Sequence, residues 1–444
     1  MIVSQSEAKQ ITDKVLSLSK AEYCVADLGG HKRRHLRFAL NSITTNGEQD
    51  DLSLSVRSTF GTRSGTARTN EFSDAAITAA VRKSEEIARF APKDPEFVAP
   101  LGPQTYLPSR TYFESTAKAT PEQMAKMSKP VLDLARNKEV TSAGFFNVGS
   151  TCSAMATNKG LFAHENSTGA LFTVSARTSD GTGAGWAGVN FQDIGRLDPS
   201  MLGQRAVERT VESKGPQPLE PGKYLVLLEP SAVCDLLTAL IGRCDARSAD
   251  EGRSFFSKKG GGNKLNEKIF GDKVTVYADP HDQIAPGPVV STDGLPSIRR
   301  HWIENGVLKE LIYSRYWAKK TGHDPVPFPS NIVMTGGSAS REELIAGVKR
   351  GVLVTRLWYI REVDPRTLVL TGLTRDGTFL IENGKIIRPV KNFRFNESPV
   401  AMLNNVEAMG KSERAVGSEV EDHPVSVPPL LVRDFTFSSL SNAV

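Results

Sequence analysis

Nine residues, Lys214-Gly215-Pro216-Gln217-Pro218-Leu219-Glu220-Pro221-Gly222, constrain this chain more than any other stretch. The prolines remove backbone donors and fix φ, so neither a helix nor an interior strand runs through them. They divide a chain of 444 residues nearly in half. A single hydrophobic core rarely grows past ~250–300 residues. The main boundary is therefore expected here, with an N-terminal region over 1–214 (subunits about 1–100 and 105–214) and a C-terminal domain over 220–444.

The first region mixes helices with strands. Ser4 and Glu7 form a capping box ahead of Ile11, Val15 and Leu18 on one helical face. Strands are expected around Tyr23 to Ala26, around His35 to Leu40, and over Leu52 to Ser58, where Leu52, Leu54 and Val56 alternate. Asn46-Gly47 predicts a hairpin between the last two. A second helix runs from Ser73 or Asp74 through Ile77, Val81 and Ile87 and stops before Pro92, and 92–108 is a proline-rich connector. Thr120-Pro121-Glu122-Gln123 starts a third helix, which Pro130 should kink or end. Short strands follow from about Gly144 to Thr178, with a turn at Asn158-Lys159-Gly160, and Asp198-Pro199 opens a helix carrying Leu202, Ala206 and Val207.

The second half is expected to be β-rich. Two segments share Ile-Glu-Asn-Gly, around Asn305-Gly306 and Asn383-Gly384, each prone to a type I′ turn, and Asp376-Gly377 suggests a third turn. Ser340-Arg341-Glu342-Glu343 and Ser398-Pro399 start helices. Helices and strands do not alternate strictly, so the fold class is α+β: an N-terminal α/β region with antiparallel strands and flanking helices, then a β-rich domain with packed helices.

The most informative helix follows the strand around Tyr224 to Leu228 and reads Glu229-Pro230-Ser231-Ala232-Val233-Cys234-Asp235-Leu236-Leu237. Val233, Leu236, Leu237, Leu240 and Ile241 form a dense apolar face, the pattern of a buried core helix. Glu229 and Asp235 each offer a carboxylate, but two carboxylates without imidazole or thiolate make a poor zinc site. With these flanks the chain resembles the TldD/TldE family, also called PmbA or modulator-of-gyrase proteins. The TldD branch of that family carries HExxxH on this helix, two His for zinc and a Glu to activate water. In this alignment the two His positions hold Pro230 and Asp235, the Glu position holds Ser231, and a further Cys ligand near the C-terminus falls at about Val416. The resemblance is thus to the TldE branch, which lacks the motif.

It covers nearly the whole chain and implies a cytoplasmic two-chain protease acting on unfolded or small peptides. Zinc is expected in a TldD-type partner and none in this chain. The partner could be that zinc subunit, giving a heterodimer, or a second copy, giving a homodimer. No catalytic residue transfers. Three other readings stay open: a homodimeric peptide-binding or regulatory module, a hydrolase using unrecognised residues, and a gyrase-linked regulator that binds DNA, against which the even charge distribution and the lack of a DNA-binding motif speak.

Other clusters favour local roles. The loop from Arg253 to Lys264, with Lys258, Lys259, Gly260 to Gly262 and Asn263, lacks GxxxxGK[ST] and is a candidate peptide or partner loop. Asp279-Pro280-His281-Asp282 resembles a segment of TldE-type chains, yet is as easily a turn with a side-chain cap. His31 and His35 flank Lys32-Arg33-Arg34 and read as a basic solvated turn, while Gly181 to Gly188 reads as strand ends packed closely around Trp186. A formal charge of +5, from 55 basic and 50 acidic residues spread along the chain, argues against a nucleic-acid footprint. No apolar run approaches the ~20 residues of a membrane span. Cys24, Cys152, Cys234 and Cys244 make no CxxC, so reduced thiols in the cytoplasm are expected.

Overall fold

The computed structural model describes residues 1–418 and 423–441. Six strands build one antiparallel sheet in the order Arg63–Thr69, Ser42–Phe60, Tyr23–Ala39, Val140–Thr157, Phe162–Thr178, Ala184–Phe191. Along Tyr23–Ala39, Cys24, Ala26 and Leu28 enter one buried cluster and Leu36 and Phe38 another. These positions share parity, so both clusters lie on one face of the sheet. Helices Gln5–Leu18 and Asp74–Phe90 cover the first cluster, and Pro121–Asn137 and Pro199–Glu212 cover the second. The helix starts are where the capping residues put them. Ser4 and Glu7 bond reciprocally, Thr120 accepts from Gln123 N, and Asp198 accepts from Met201 N.

Several local expectations are corrected here. Tyr23–Ala39 is one long strand, paired on both sides, and His31 to His35 lie inside it instead of in a turn. The two His share a face but stand four residues apart, roughly 13 Å at strand rise. His31 meets Asp51 at 3.1 Å, and His35 stacks on Phe145. Asn46-Gly47 is interior to Ser42–Phe60, opposite Leu36 and His35; the hairpin turns at Leu40 and Asn41, both with positive φ. Gly47 serves packing, since a Cβ there would lie 2.6 Å from the His35 ring. The short strands expected from Gly144 to Thr178 are two long ones joined at Asn158-Lys159-Gly160. The helix Pro121–Asn137 continues through Pro130, which is exposed, so the carbonyl it leaves unpaired can face water. Ile87 is 38% exposed and off the core face.

Beyond Pro221 the chain builds two further sheets. Gly222–Leu228, Arg350–Asp364, Val369–Glu382, Phe393–Glu397 and Leu430–Leu440 pair in a ring, because Arg350–Asp364 joins both Gly222–Leu228 and Val369–Glu382. Closure leaves these five strands without open edges. A smaller sheet runs Val307–Leu308, Arg300–Glu304, Val276–Ala278, Ile332–Met334, Val425–Val427, Glu413–Ala415. Asn305-Gly306 and Asn383-Gly384 make the expected tight turns, with positive φ at all four residues. Asp376-Gly377 does not turn the chain; it is a bulge within Val369–Glu382, where the register with Arg350–Asp364 slips between Val354 and Arg356. The fold is α+β.

The helix Pro230–Ile241 lies where the closed sheet and the smaller sheet meet. Val226, Leu236, Leu237, Trp302, Ile303 and Val425 belong to one buried cluster. Ala232, Val233, Cys234, Leu236, Leu237, Leu240 and Ile241 are each fully buried, so the helix is enclosed on all sides from Ala232 to Leu237, while Pro230, Ser231, Thr238 and Ala239 are half-buried. The N-terminal sheet is tied to this half through Glu165, whose carboxylate accepts from Val289 N at 3.1 Å and from Ser109 Oγ at 2.7 Å. Tyr106 of the connector donates to Gly294 O at 2.7 Å, and His281 Nε2 bonds Pro108 O at 2.8 Å.

Candidate functional site at the start of the buried helix

Glu229 is the N-cap of the helix but makes no capping bond. Its carboxylate is committed elsewhere. Arg209, from the helix Pro199–Glu212, pairs with one oxygen, and Arg341 Nε, at the start of the helix Arg341–Ala346, meets the other at 2.8 Å. Burial pushes the Glu229 carboxyl up, and the two guanidinium groups more than reverse this and hold it below the ordinary carboxylate value. Pro230 supplies no N–H at the first helical position. Ser231 follows, with its hydroxyl oxygen buried and unpartnered.

Asp235 sits one turn further in, 2% exposed. Its Oδ2 accepts from both Ser418 N and Ser418 Oγ at 2.9 Å. Gly417 presses so close that an added Cβ would lie 1.9 Å from Asp235 Oδ1. Val416 is 1% exposed and packs with Leu171 and Trp186. The tail therefore meets the helix exactly where the resemblance places a zinc site, but through hydrogen bonds and apolar contact. Pro230 and Val416 carry no lone-pair donor, and the one carboxylate present is turned toward the Ser418 donors. This donor set does not fit zinc. Among the described residues, no group of three or more His, Cys, Asp or Glu is placed to hold a metal ion.

An open cleft of about 540 Å³ lies over this helix start, lined by Arg205, Glu208, Arg209, Glu229, Arg341 and Lys411 among others. A narrower inner cavity of about 170 Å³ shares Arg205, Arg209, Glu229 and Pro230 and adds Trp186, Ser231, Arg414 and Val416. Trp186 is held by close backbone packing. A Cβ on Gly185 would lie 2.2 Å from Ala206 O, and one on Gly188 would lie 2.7 Å from the Trp186 ring. The glycine-rich stretch thus has the packing role its sequence suggested. Arg209, Arg341, Arg414 and Trp186 had no sequence signal as site residues. Buried arginines are recognisable only once their carboxylate or cavity is in place; Ser340-Arg341-Glu342-Glu343 was legible as a helix start, and the partner across the cleft was not.

The other expected residues do not line this cleft, although the charge of Asp282 reaches Arg414 on the inner cavity wall. Arg253 pairs with Glu251, and Lys258 with Glu267 at 2.8 Å. Asn263 Nδ2 donates to Asp250 Oδ1 at 2.7 Å and so pins its loop, while Lys259 is exposed. Gly260, Gly261 and Gly262 all have positive φ, and a Cβ on any of them would meet nothing within 4 Å. Asp279 Oδ1 accepts from His281 N at 2.9 Å, and Asp282 Oδ1 accepts from Ile284 N at 2.9 Å and Ala285 N at 2.8 Å. These are turn-capping bonds of the local kind.

Models of the PmbA/TldA metallopeptidase match three stretches: domain 1 over 29–88, the central domain over 114–214 and the C-terminal domain over 221–439. The chain belongs to the PmbA/TldD family of metallopeptidases. It is 26% identical to a metalloprotease of Methanothermobacter thermautotrophicus over 68% of this chain and 72% of that protein. It is 27% identical to a zinc metalloprotease TldD homolog of Saccharolobus solfataricus, over 45% of this chain and 46% of that one. The crystal structure of TldE from Thermococcus kodakarensis superposes with a TM-score of 0.87 at 17% identity, covering 98% of this chain and all (100%) of that one, a likeness of fold. No helix among the described residues is long and apolar enough to cross a membrane.

Proposed function

We propose that this chain is the TldE-type, non-catalytic subunit of a two-chain cytoplasmic metalloprotease. A TldD-type partner holds the zinc, and this chain completes the wall that positions an unfolded or small peptide. One observation carries the reading. At the helix position that binds metal in the TldD branch, Asp235 is engaged by Ser418 and crowded by Gly417, with Pro230 and Val416 as inert neighbours. Family membership supports the metalloprotease setting of this reading, and the fold is like that of TldE. Positioning alone can be worth several kcal/mol of barrier, so a subunit without catalytic groups still alters a rate.

The test compares three samples on one unfolded peptide: this chain, a zinc-bearing sibling, and their mixture. This chain alone gives no cleavage; the mixture forms one complex and cleaves faster than the sibling, and a chelator abolishes the activity. Installing Pro230→His, Ser231→Glu and Asp235→His together gives no activity, because Val416 brings no thiolate. Equal rates for the sibling with and without this chain would overturn the subunit reading and favour a homodimeric binding module. The loop from Arg253 to Lys264 is the proposed contact with peptide or partner, its three glycines facing open space on their Cβ side.

A further inference from the structure

The inner cavity is lined by a buried charge that forms no ion pair among the described residues. Arg414 is 8% exposed. Its Nε donates to Asn190 O at 3.0 Å and to Asn190 Oδ1 at 2.8 Å, and its Nη1 is buried without a partner. Of the acids on the cavity wall, Glu229 lies between Arg209 and Arg341 and Glu413 faces Arg205 at 3.9 Å; Asp282 acts on Arg414 only through its charge, without an ion pair. A buried guanidinium that hydrogen-bonds only the neutral Asn190, with Asp282 acting at longer range, keeps much of its desolvation cost. Burial and then the charge of Arg196 bring its pKa down to about 9, a shift that a bound anion would reverse.

Three features beside Arg414 define the missing group. Ser231 Oγ is a second buried polar atom without a partner on the same cavity wall. The first turn of the helix Pro230–Ile241 directs its positive end there. The cavity, about 170 Å³, is smaller than the ~300–1,000 Å³ of a pocket for a whole drug-sized ligand, and it continues into the open cleft of about 540 Å³. The space admits the end of a chain, with the rest lying outside.

We propose that the inner cavity binds the C-terminal carboxylate of a peptide, with Arg414 as its counter-charge and Ser231 as a hydrogen-bond donor. This deepens the peptide-holding role proposed above and rests on it. A guanidinium offers a planar fork that matches a carboxylate, and Arg414 lines the cavity with its hydrogen bonds among the described residues confined to Nε.

The experiment measures calorimetric binding of one N-acetylated hexapeptide, as the free acid and as the C-terminal amide, to the full chain. The free acid is expected to bind about tenfold more tightly, the scale of one charge-assisted contact. Arg414→Gln should bring the acid to the affinity of the amide, while Arg414→Lys keeps part of the difference. Should Arg414→Gln fail to fold by circular dichroism, Ser231→Val serves as the milder variant and should reduce the acid-to-amide ratio. Equal affinity for acid and amide in the unaltered chain overturns the inference, as does a ratio unchanged in Arg414→Gln or no binding of either peptide. Stimulation of a zinc-bearing sibling is scored separately. If stimulation persists while acid and amide bind alike, the subunit reading stands and the carboxylate site falls; if stimulation is absent, the subunit reading itself falls.

Discussion

Glu229 shows how a single buried carboxylate can serve architecture at the start of a helix. Its carboxylate joins two helices across the cleft through Arg209 and Arg341. Glu229→Gln should cost ~3–5 kcal/mol near neutral pH, since removing one partner leaves buried charges uncompensated. The pH dependence has a definite sign. The folded-state pKa lies below the unfolded value of about 4.3, so the contribution is complete above that value and is lost as pH falls through the lower folded one. Urea midpoints across the acid range should fall more steeply for the unaltered chain than for Glu229→Gln. Asp235 and Gly417 provide a second residue-scale prediction. Gly417→Ala forces a Cβ onto the Asp235 carboxylate and should destabilise, but less so in an Asp235→Ala background. A double-mutant cycle should return a coupling of ~0.5–3 kcal/mol; additive effects would show that the two residues do not press on each other.

At the scale of elements, the helix Pro230–Ile241 was legible from its apolar face, and its enclosure on all sides from Ala232 to Leu237 was not. A face pattern specifies one buried side; only the meeting of two sheets buries the rest. Leu237→Ala should therefore cost ~2–5 kcal/mol by urea denaturation, and a loss below about 0.5 kcal/mol would place Leu237 at a surface. Turn dipeptides gave a mixed record for a physical reason. Asn305-Gly306 and Asn383-Gly384 end strands whose partners lie immediately beyond them. Asn46-Gly47 is locally just as suited to turning, but its neighbours Leu52, Leu54 and Val56 fix a register that carries the strand straight past it. Pro130 was misread similarly, because its position on the exposed side of a packed helix cannot be seen from its own sequence.

For the molecule as a whole, the contact between the six-stranded sheet and the C-terminal half depends on polar groups brought together from distant segments. Glu165 accepts hydrogen bonds from Ser109, Val289 and Val290 at a buried site. Glu165→Ala should cost ~1–3 kcal/mol, by stranding buried backbone donors, and should speed proteolytic cleavage in the segment 280–299. Unchanged cleavage there would show that the contact is held by other groups. The same assembly of distant parts makes the cleft, whose walls come from the helix Pro199–Glu212, the start of the helix Pro230–Ile241, the start of the helix Arg341–Ala346 and the strand Glu413–Ala415.

The sequence by itself determined the helix starts, through Ser4, Thr120, Asp198 and Ser340, and the two Asn-Gly turns, because capping and turn chemistry act over a few residues. It also determined which donor types stand at Pro230, Ser231, Asp235 and Val416, since ligand chemistry is a property of the side chain. Only the tertiary structure decided that Asp235 meets Ser418, that Glu229 lies between two arginines, and that Arg414 is buried without an ion pair among the described residues. Those facts depend on burial and on pairings across up to 224 residues of separation, as between Asn190 and Arg414, which no local pattern records.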